Sequence, residues 1–108
     1  MPLYLAEDDV SELLDMDIAL AAMEQLFREW GADRAENTVR QRVRAPGVML
    51  HTLSGACEYL GRVGLKTYTT TRSVNRFLVL LFDAEGRLDA LIEADLLGRL
   101  RTGAVSGL

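Results

Sequence analysis

The run Phe77-Leu78-Val79-Leu80-Leu81-Phe82 constrains the fold most, because six consecutive large apolar side chains leave the segment without a polar face. Side chains of a strand alternate between the two faces of a sheet, so an apolar run without alternation predicts a central strand buried on both faces. The run is far shorter than the about 20 apolar residues needed to cross a bilayer. We therefore expect an interior sheet strand and no membrane partner.

The segments around this strand also have the patterns of strands and turns. Asp83–Gly86 has hairpin-turn composition, Leu88–Glu93 predicts the next strand, and Asp95 is expected to cap a helix that continues to Leu108. Three earlier segments alternate or are rich in β-branched residues, as is typical of strands: 38–44, 48–53 and 62–70. The stretches 32–37 and 54–60 are predicted to be loops.

The N-terminal part predicts helices. Leu3–Leu5 is a candidate edge strand, Asp8–Leu14 has helical spacing, and a longer helix is expected to begin at Asp15 or Asp17 and end at Gly31. Its predicted apolar stripe comprises Ile18, Ala22, Met23, Leu26, Phe27 and Trp30. The predicted fold class is α/β, with α+β character: two N-terminal helices packed on a mostly antiparallel sheet of about five strands, ending in a helix. We expect one domain, residues 1–108.

Composition excludes several classes of protein. Hydrophobic residues make up 49% of the chain, which indicates a folded domain, and the net charge of −4 argues against non-specific nucleic-acid binding. The single cysteine, Cys57, cannot form an internal disulfide and is typical of a reducing cytoplasm, the predicted location. One histidine and one cysteine cannot supply the four ligands of a structural zinc site, and no metal site is predicted.

Arg101 is the first candidate functional residue, because an arginine is unexpected on its face of the final helix. Its neighbours at helical spacing are apolar or small: Leu97, Gly98, Ala104 and Val105. We expect this face to point into the protein, where a guanidinium requires an anionic partner. Two alternatives stay open: an ion pair with one of three strand carboxylates, Asp83, Asp89 or Glu93, or recognition of a ligand carboxylate.

Further candidates lie on the strands. Lys66 shares a strand face with Gly64 and Tyr68, and Gly64 is expected to leave open space beside it; the alternative for Lys66 is a solvated lysine. Arg40 shares its face with two other arginines and has the same alternative. His51 is expected to be a core histidine bonded to a backbone carbonyl. With no Gly-rich phosphate loop and no nucleophile elbow, the residues alone predict an anion-binding α/β domain.

Three segments carry a resemblance to a known family: LYLAEDDVSELLDMDIALAAMEQLF, GLKTYT and FLVLLFDAEGRLDALIEADLLGRLRTGAVSGL. They resemble the N-terminal part of the ornithine cyclodeaminase / mu-crystallin family, whose L-R-T-A-A motif is similar to Leu100–Ala104 here. The resemblance implies an N-terminal substrate-binding and dimerisation domain, followed in the family by a Rossmann domain. Family members are NAD- or NADP-dependent enzymes of small amino or imino acids, whereas mu-crystallins bind NADPH and thyroid hormone.

The resemblance also implies roles for individual residues. Arg40, Lys66 and Arg101 match the family's cations around the substrate carboxylate, with Arg42 as the alternative to Arg40. The resemblance also implies that Thr102 faces the cofactor. A lysine near an imine can in addition transfer a proton if burial lowers its pKa, which makes Lys66 a candidate catalytic residue. The implied partners are a small amino, imino or keto acid and a second copy of the chain, paired through the sheet.

Two departures from the family bear on activity. His51 stands before Leu53-Ser54, where similar cyclodeaminases carry a glutamate before a Met-Pro pair, which favours a reductase or dehydrogenase over cyclodeamination. The family's Rossmann domain has no counterpart in this sequence, so the chain is expected to be a fragment and inactive alone. The alternatives are a non-catalytic mu-crystallin-like protein that binds NADPH and a ligand, and a dimerisation fragment without activity.

Overall fold

The computed structural model describes residues 2–107, so Met1 and Leu108 lie outside the described residues. Within that range seven strands form one sheet: β1 Leu3–Leu5, β2 Ala35–Asn37, β3 Gln41–Ala45, β4 Val48–Cys57, β5 Arg62–Thr70, β6 Asn75–Asp83 and β7 Leu88–Glu93. The α-helices of the described chain are α1 Glu7–Leu13, α2 Met16–Gly31 and α3 Asp95–Gly107. None of them is long and apolar enough to span a membrane.

The sheet has the order β1-β7-β6-β5-β4-β2, with β3 also paired to β4. All pairs are antiparallel except β1 with β7, so the predicted α/β class with a mostly antiparallel sheet is confirmed. The apolar run lies in β6, between β5 and β7, as expected of a central strand. Its residues are half-buried on both faces, contrary to prediction, because the helices cover one face of the strand only in part and leave the other uncovered.

Two predicted loops are wrong, and both errors lie at the same end of the sheet. Ala35–Asn37 forms β2, and β4 continues through Cys57 into the segment expected to be a loop. β2 pairs with Gly55–Cys57, and those residues pair on their other side with β5. Pairing on both sides satisfies the backbone hydrogen bonds of this segment, although its side chains are small or polar.

Helix α2 begins as predicted, but only part of its predicted apolar stripe is buried. The Asp15 carboxylate accepts a hydrogen bond from the Ile18 backbone N–H (2.9 Å), which confirms the first of the two predicted caps. The buried residues are Ala19 and Met23, whereas Ile18, Phe27 and Trp30 of the predicted stripe remain 49%, 44% and 44% exposed. The reason is that α2 packs mainly against α3, where Ala104 is fully buried, rather than flat on the sheet.

The start of α3 is held by a residue from the other end of the chain. Glu7 of α1 accepts hydrogen bonds from the backbone N–H groups of Asp95 (3.0 Å) and Leu96 (3.3 Å). The Asp95 carboxylate, predicted to cap this helix, instead accepts from the Phe77 N–H (3.2 Å). Both contacts fix the first turn of α3 against the sheet at the end of β7 and the start of β6.

Candidate functional site

Three aromatic rings stack across neighbouring strands on the sheet face that α3 covers. Tyr68 of β5 pairs in register with His51 of β4 on one side and with Phe77 of β6 on the other. The rings of His51 and Tyr68 are almost parallel (3°), with centroids 4.2 Å apart, and those of Tyr68 and Phe77 are 4.8 Å apart. We call these residues the aromatic ladder; they form the floor of the site.

His51 is buried, as predicted, but its partners are side chains rather than a backbone carbonyl. The Arg42 Nε–H donates to His51 Nδ1 (3.1 Å), and His51 Nε2 lies 3.0 Å from the Thr70 hydroxyl. Because Nδ1 accepts, the neutral ring carries its proton on Nε2 and donates to Thr70. Burial, followed by the charges of Arg42 and Arg40, holds the pKa of His51 below its usual value.

Lys66 lies one row along β5 from Tyr68, on the same face. Its Nζ is 5.7 Å from the centroid of the Tyr68 ring and 5.2 Å from that of Phe77. It also reaches α3, since a methyl group built on Gly98 would lie 3.9 Å from Nζ. Lys66 is half-buried, so the alternative of a fully solvated lysine does not describe it.

The structure brings the predicted cations together. Burial lowers the pKa of Lys66 most, and the positive charges of Arg101 and then Arg40 lower it further. The guanidinium carbon of Arg40 lies 5.8 Å from the Tyr68 centroid, over the same ring as Lys66. We call Arg40, Lys66 and Arg101 the cationic cluster. Arg42, the alternative to Arg40, is instead bonded to His51.

Arg101 is exposed, whereas the sequence predicted that it faces the protein interior. Helix α3 turns Ala104 and Leu100 towards α2, which leaves Arg101 at the edge of the apolar stripe, one helical turn after Gly98, the residue that Lys66 reaches. Each carboxylate considered as its internal partner is bonded elsewhere: Asp89 to Arg62 (2.9 Å), Glu93 to the Tyr4 hydroxyl (2.7 Å), and Asp83 to the N–H groups of Glu85 (2.9 Å) and Arg87 (3.0 Å). In the described part of the chain, these three carboxylates do not pair with the guanidinium.

Gly64, expected to leave space beside Lys66, has the opposite effect. A Cβ at this position would lie 2.7 Å from the Leu80 carbonyl oxygen and 2.9 Å from Leu81 Cδ2. Both distances are shorter than real Cβ contacts, so the glycine allows β5 and β6 to approach closely. The space next to Lys66 is provided instead by Gly98 of α3.

A cleft of about 530 Å³ lies between α3 and the sheet, next to the start of β6 and the middle of β5. Polar and charged side chains share its lining with Phe77: Lys66, Asn75, Asp95, Arg99 and Thr102. Thr102, the implied cofactor residue, is thus beside the cluster.

Tyr68 and Phe77 were not predicted to be site residues. The position of Tyr68, two residues after Lys66 on the same strand, could have indicated it from the sequence. Phe77 could not have been found in this way, because only the pairing of β5 with β6 places it beside Tyr68.

The cluster has a clear electrostatic property. Three cations lie near one another, two of them over one aromatic ring, and none forms an ion pair with a carboxylate within residues 2–106. Asp95 is the acidic residue of the cleft lining, and one of its oxygens accepts from the Phe77 N–H. Mutual repulsion at a half-buried site favours an anion, and guanidinium groups are shaped to bind carboxylates with two parallel hydrogen bonds.

No family model matches the chain, and no curated protein matches it. Solved structures do. A probable ornithine cyclodeaminase from Bordetella pertussis Tohama I is 31% identical, with a TM-score of 0.92, over 98% of this chain and 34% of that protein. An archaeal alanine dehydrogenase dimer with bound NAD is 25% identical, with a TM-score of 0.88, over 98% of this chain and 35% of that one.

The iminosuccinate reductase of Paracoccus denitrificans, in complex with NAD+, is 26% identical, with a TM-score of 0.88, over 97% of this chain and 36% of that protein. The chain therefore spans about a third of the length of the structures that it matches. The matches confirm the predicted resemblance: over almost its whole length, this chain has the fold of a part of ornithine cyclodeaminase and its related amino and imino acid enzymes.

Proposed function

We propose that the chain is the substrate-binding part of an NAD(P)-dependent enzyme of small amino or imino acids, with the substrate carboxylate bound by the cationic cluster. The observation that carries the proposal is the convergence of Arg40, Lys66 and Arg101, from a loop, a strand and a helix, without a carboxylate of their own. The fold shared with enzymes of this kind supports it.

The cluster would hold the substrate in a fixed orientation. Arg101 and Arg40 each offer a guanidinium fork to the carboxylate, and Lys66 contributes a point charge from the floor of the cleft. A carboxylate fixed in this way also fixes the adjacent α-carbon and its nitrogen, and orientation of reacting atoms is a large part of catalysis. The flat aromatic ladder beneath them excludes water from one side.

Lys66 is also proposed to transfer a proton. Its pKa is lowered by burial and by the two arginines, so its ammonium releases a proton more readily than a solvated lysine. A lysine of this kind can donate to, or accept from, the nitrogen of a bound imine or amine. Substrate binding would partly neutralise the arginines, which couples the protonation of Lys66 to occupancy.

A nicotinamide cofactor would supply the hydride, but the described residues do not fit the phosphates of a dinucleotide. The backbone N–H groups at the start of α3, the helix beside the cleft, are taken by Glu7, and one at the start of α2 is taken by Asp15. No glycine-rich loop leads into either helix. We therefore propose the cofactor only for a complete enzyme, with Thr102 facing it from the cleft.

Ligand-induced thermal stabilisation tests the carboxylate site. Pyruvate and L-alanine are expected to raise the melting temperature of the chain. In Arg101→Leu, the same rise is expected to need a ligand concentration about 10- to 100-fold higher, because one hydrogen bond to a charged group is lost. Arg28→Leu is the matched control, because Arg28 is an exposed arginine of α2 paired only with Glu24. An undiminished response in Arg101→Leu would refute the assigned role.

A second part of the proposal is a homodimer formed through the sheet. The face opposite α3, here called the outer face, carries apolar side chains that the described chain leaves exposed, among them Val43 (65%), Val63 (49%) and Leu50 (40%). Extensive apolar exposure on a sheet face is typical of an interaction surface. Leu50→Asp is expected to convert a dimer to a monomer in sedimentation; equal masses for both forms would contradict a dimer formed through the outer face.

A further inference from the structure

We infer that the site binds a substrate with two carboxylates, one held by Lys66 and Arg101 and the other by Arg40. This inference deepens the proposed function and depends on it. It concerns which members of the broad class of small amino and imino acids the site accepts, and it follows from the number and placement of cations around the aromatic ladder.

The first step is the excess of positive charge. Beside the three residues of the cationic cluster, Arg42 lies on the same sheet face, where it donates to the neutral ring of His51. No carboxylate pairs with any of these four cations in the part of the chain that the structure describes. One substrate carboxylate would neutralise one of them, and the zwitterion of a neutral amino acid would bring no net charge.

The second step is the division of the cations into two positions. Lys66 extends towards α3, near Gly98, and Arg101 lies one helical turn after Gly98. Arg40 is the residue before β3, which lies across β4 from β5, and its guanidinium carbon is 5.8 Å from the Tyr68 centroid. Lys66 and Arg40 therefore share the Tyr68 ring from different elements, which suits the two ends of one short dianion better than a single carboxylate.

The third step concerns the side chain that the site would reject. A substrate with a terminal ammonium, such as ornithine, would place another cation among those already present, which costs free energy unless an acidic residue receives it. In the cleft lining, Asp95 is the acidic residue, and one of its two oxygens accepts a hydrogen bond from the Phe77 N–H, so a single carboxylate faces several cations there. The described site has no second carboxylate to balance such a substrate.

Matched ligands test the inference on the chain itself. Backbone amide shifts near Lys66 and Gly98 are followed by NMR during titration with succinate, butyrate, L-ornithine and pyrophosphate, at constant ionic strength because exposed charges are screened by salt. Succinate is expected to bind about tenfold more tightly than butyrate, which corresponds to about 1.4 kcal/mol. L-ornithine is expected to bind more weakly than butyrate.

Variants assign the second carboxylate to its residue. Arg40→Gln is expected to weaken succinate binding more than butyrate binding, so that the preference for succinate is lost, whereas Arg40→Lys retains part of the preference. Arg44→Gln is the control, because Arg44 lies on the same face but pairs with Met49 at the far end of the hairpin. A preference for succinate that survives Arg40→Gln overturns the assignment.

The remaining outcomes separate this inference from the proposed function. If butyrate perturbs the site but succinate binds no more tightly, the dicarboxylate inference fails and the carboxylate site stands. If neither ligand perturbs residues around Lys66, the proposed function fails with it. If pyrophosphate binds more tightly than succinate, the cations belong to a phosphate site and the inference is wrong.

Discussion

Gly64→Ala tests how closely β5 must approach β6 beneath the cationic cluster. The added methyl group would lie 2.7 Å from the Leu80 carbonyl oxygen and 2.9 Å from Leu81 Cδ2. The leucine side chain can rotate away, but the carbonyl belongs to the backbone of the central strand. The strands must therefore separate locally, and Lys66, two residues further along the same face, would move with β5.

The expected cost follows from that contact. Forcing a methyl group into a well-packed site costs about 1–3 kcal/mol, and replacing glycine recovers about 0.4–1 kcal/mol because the unfolded chain loses freedom. The midpoints of these two ranges, about 2 and about 0.7 kcal/mol, leave a net destabilisation of about 1.3 kcal/mol. For a domain of this size, each kcal/mol lowers the melting temperature by about 4–8 °C, so we expect a decrease of about 5–10 °C.

Urea unfolding followed by circular dichroism, with calorimetry for the melting temperature, measures the effect. Gly55→Ala is the matched control: Gly55 lies directly opposite Gly64 on β4, and a Cβ there would meet its nearest atom, the Glu36 carbonyl oxygen, at an ordinary 3.4 Å. We expect Gly55→Ala to change the free energy of unfolding by no more than about 0.5 kcal/mol, and equal stability of the two variants would show that the strand contact is not limiting.

Two further predictions concern titration. Burial and the charges of Arg42 and Arg40 lower the pKa of His51, so the imidazole binds a proton more tightly in the unfolded chain than in the folded one. The contribution of the neutral ring to stability is therefore complete above the unfolded pKa of about 6.5, and it declines as the pH falls from there towards the folded pKa. His51→Gln should flatten this decline in urea unfolding between neutral and acidic pH; an unchanged slope would contradict it. Arg101→Gln should raise the pKa of Lys66 towards its ordinary value, as measured by NMR of its Cε, and an unmoved titration would show that Arg101 does not perturb it.

The sequence pattern predicted an element correctly where a single residue or a single hydrophobic period is enough to define it. β5 has the predicted bounds, because β-branched and aromatic residues make up more than half of Arg62–Thr70. Asp15 caps α2, since a carboxylate at a helix start accepts from the N–H three residues on. Pattern failed at β2 and at the end of β4, where strand pairing overrides a polar or small-residue composition.

Orientation around a helix was also beyond local pattern. The stripe predicted for α2 would face the sheet, but α2 packs mainly against α3. This contact buries Met23, which belongs to the predicted stripe, and Ala19, which does not. The same contact turns Arg101 outwards. A hydrophobic stripe gives the period of a helix, and the neighbour that it meets decides which edge of the stripe is buried.

The sequence by itself determined the class of fold, the central strand, and the identity of Arg40, Lys66 and Arg101 as candidate residues, because strand alternation and helical spacing are local properties. Only the tertiary structure decided that Arg40 and Lys66 converge over Tyr68, that Gly64 closes a gap rather than opening one, and that the carboxylates near Arg101 in sequence are bonded elsewhere. Each of those facts depends on strand register and on the position of α3. Register and packing arise from contacts between residues far apart in the chain, and no local pattern encodes them.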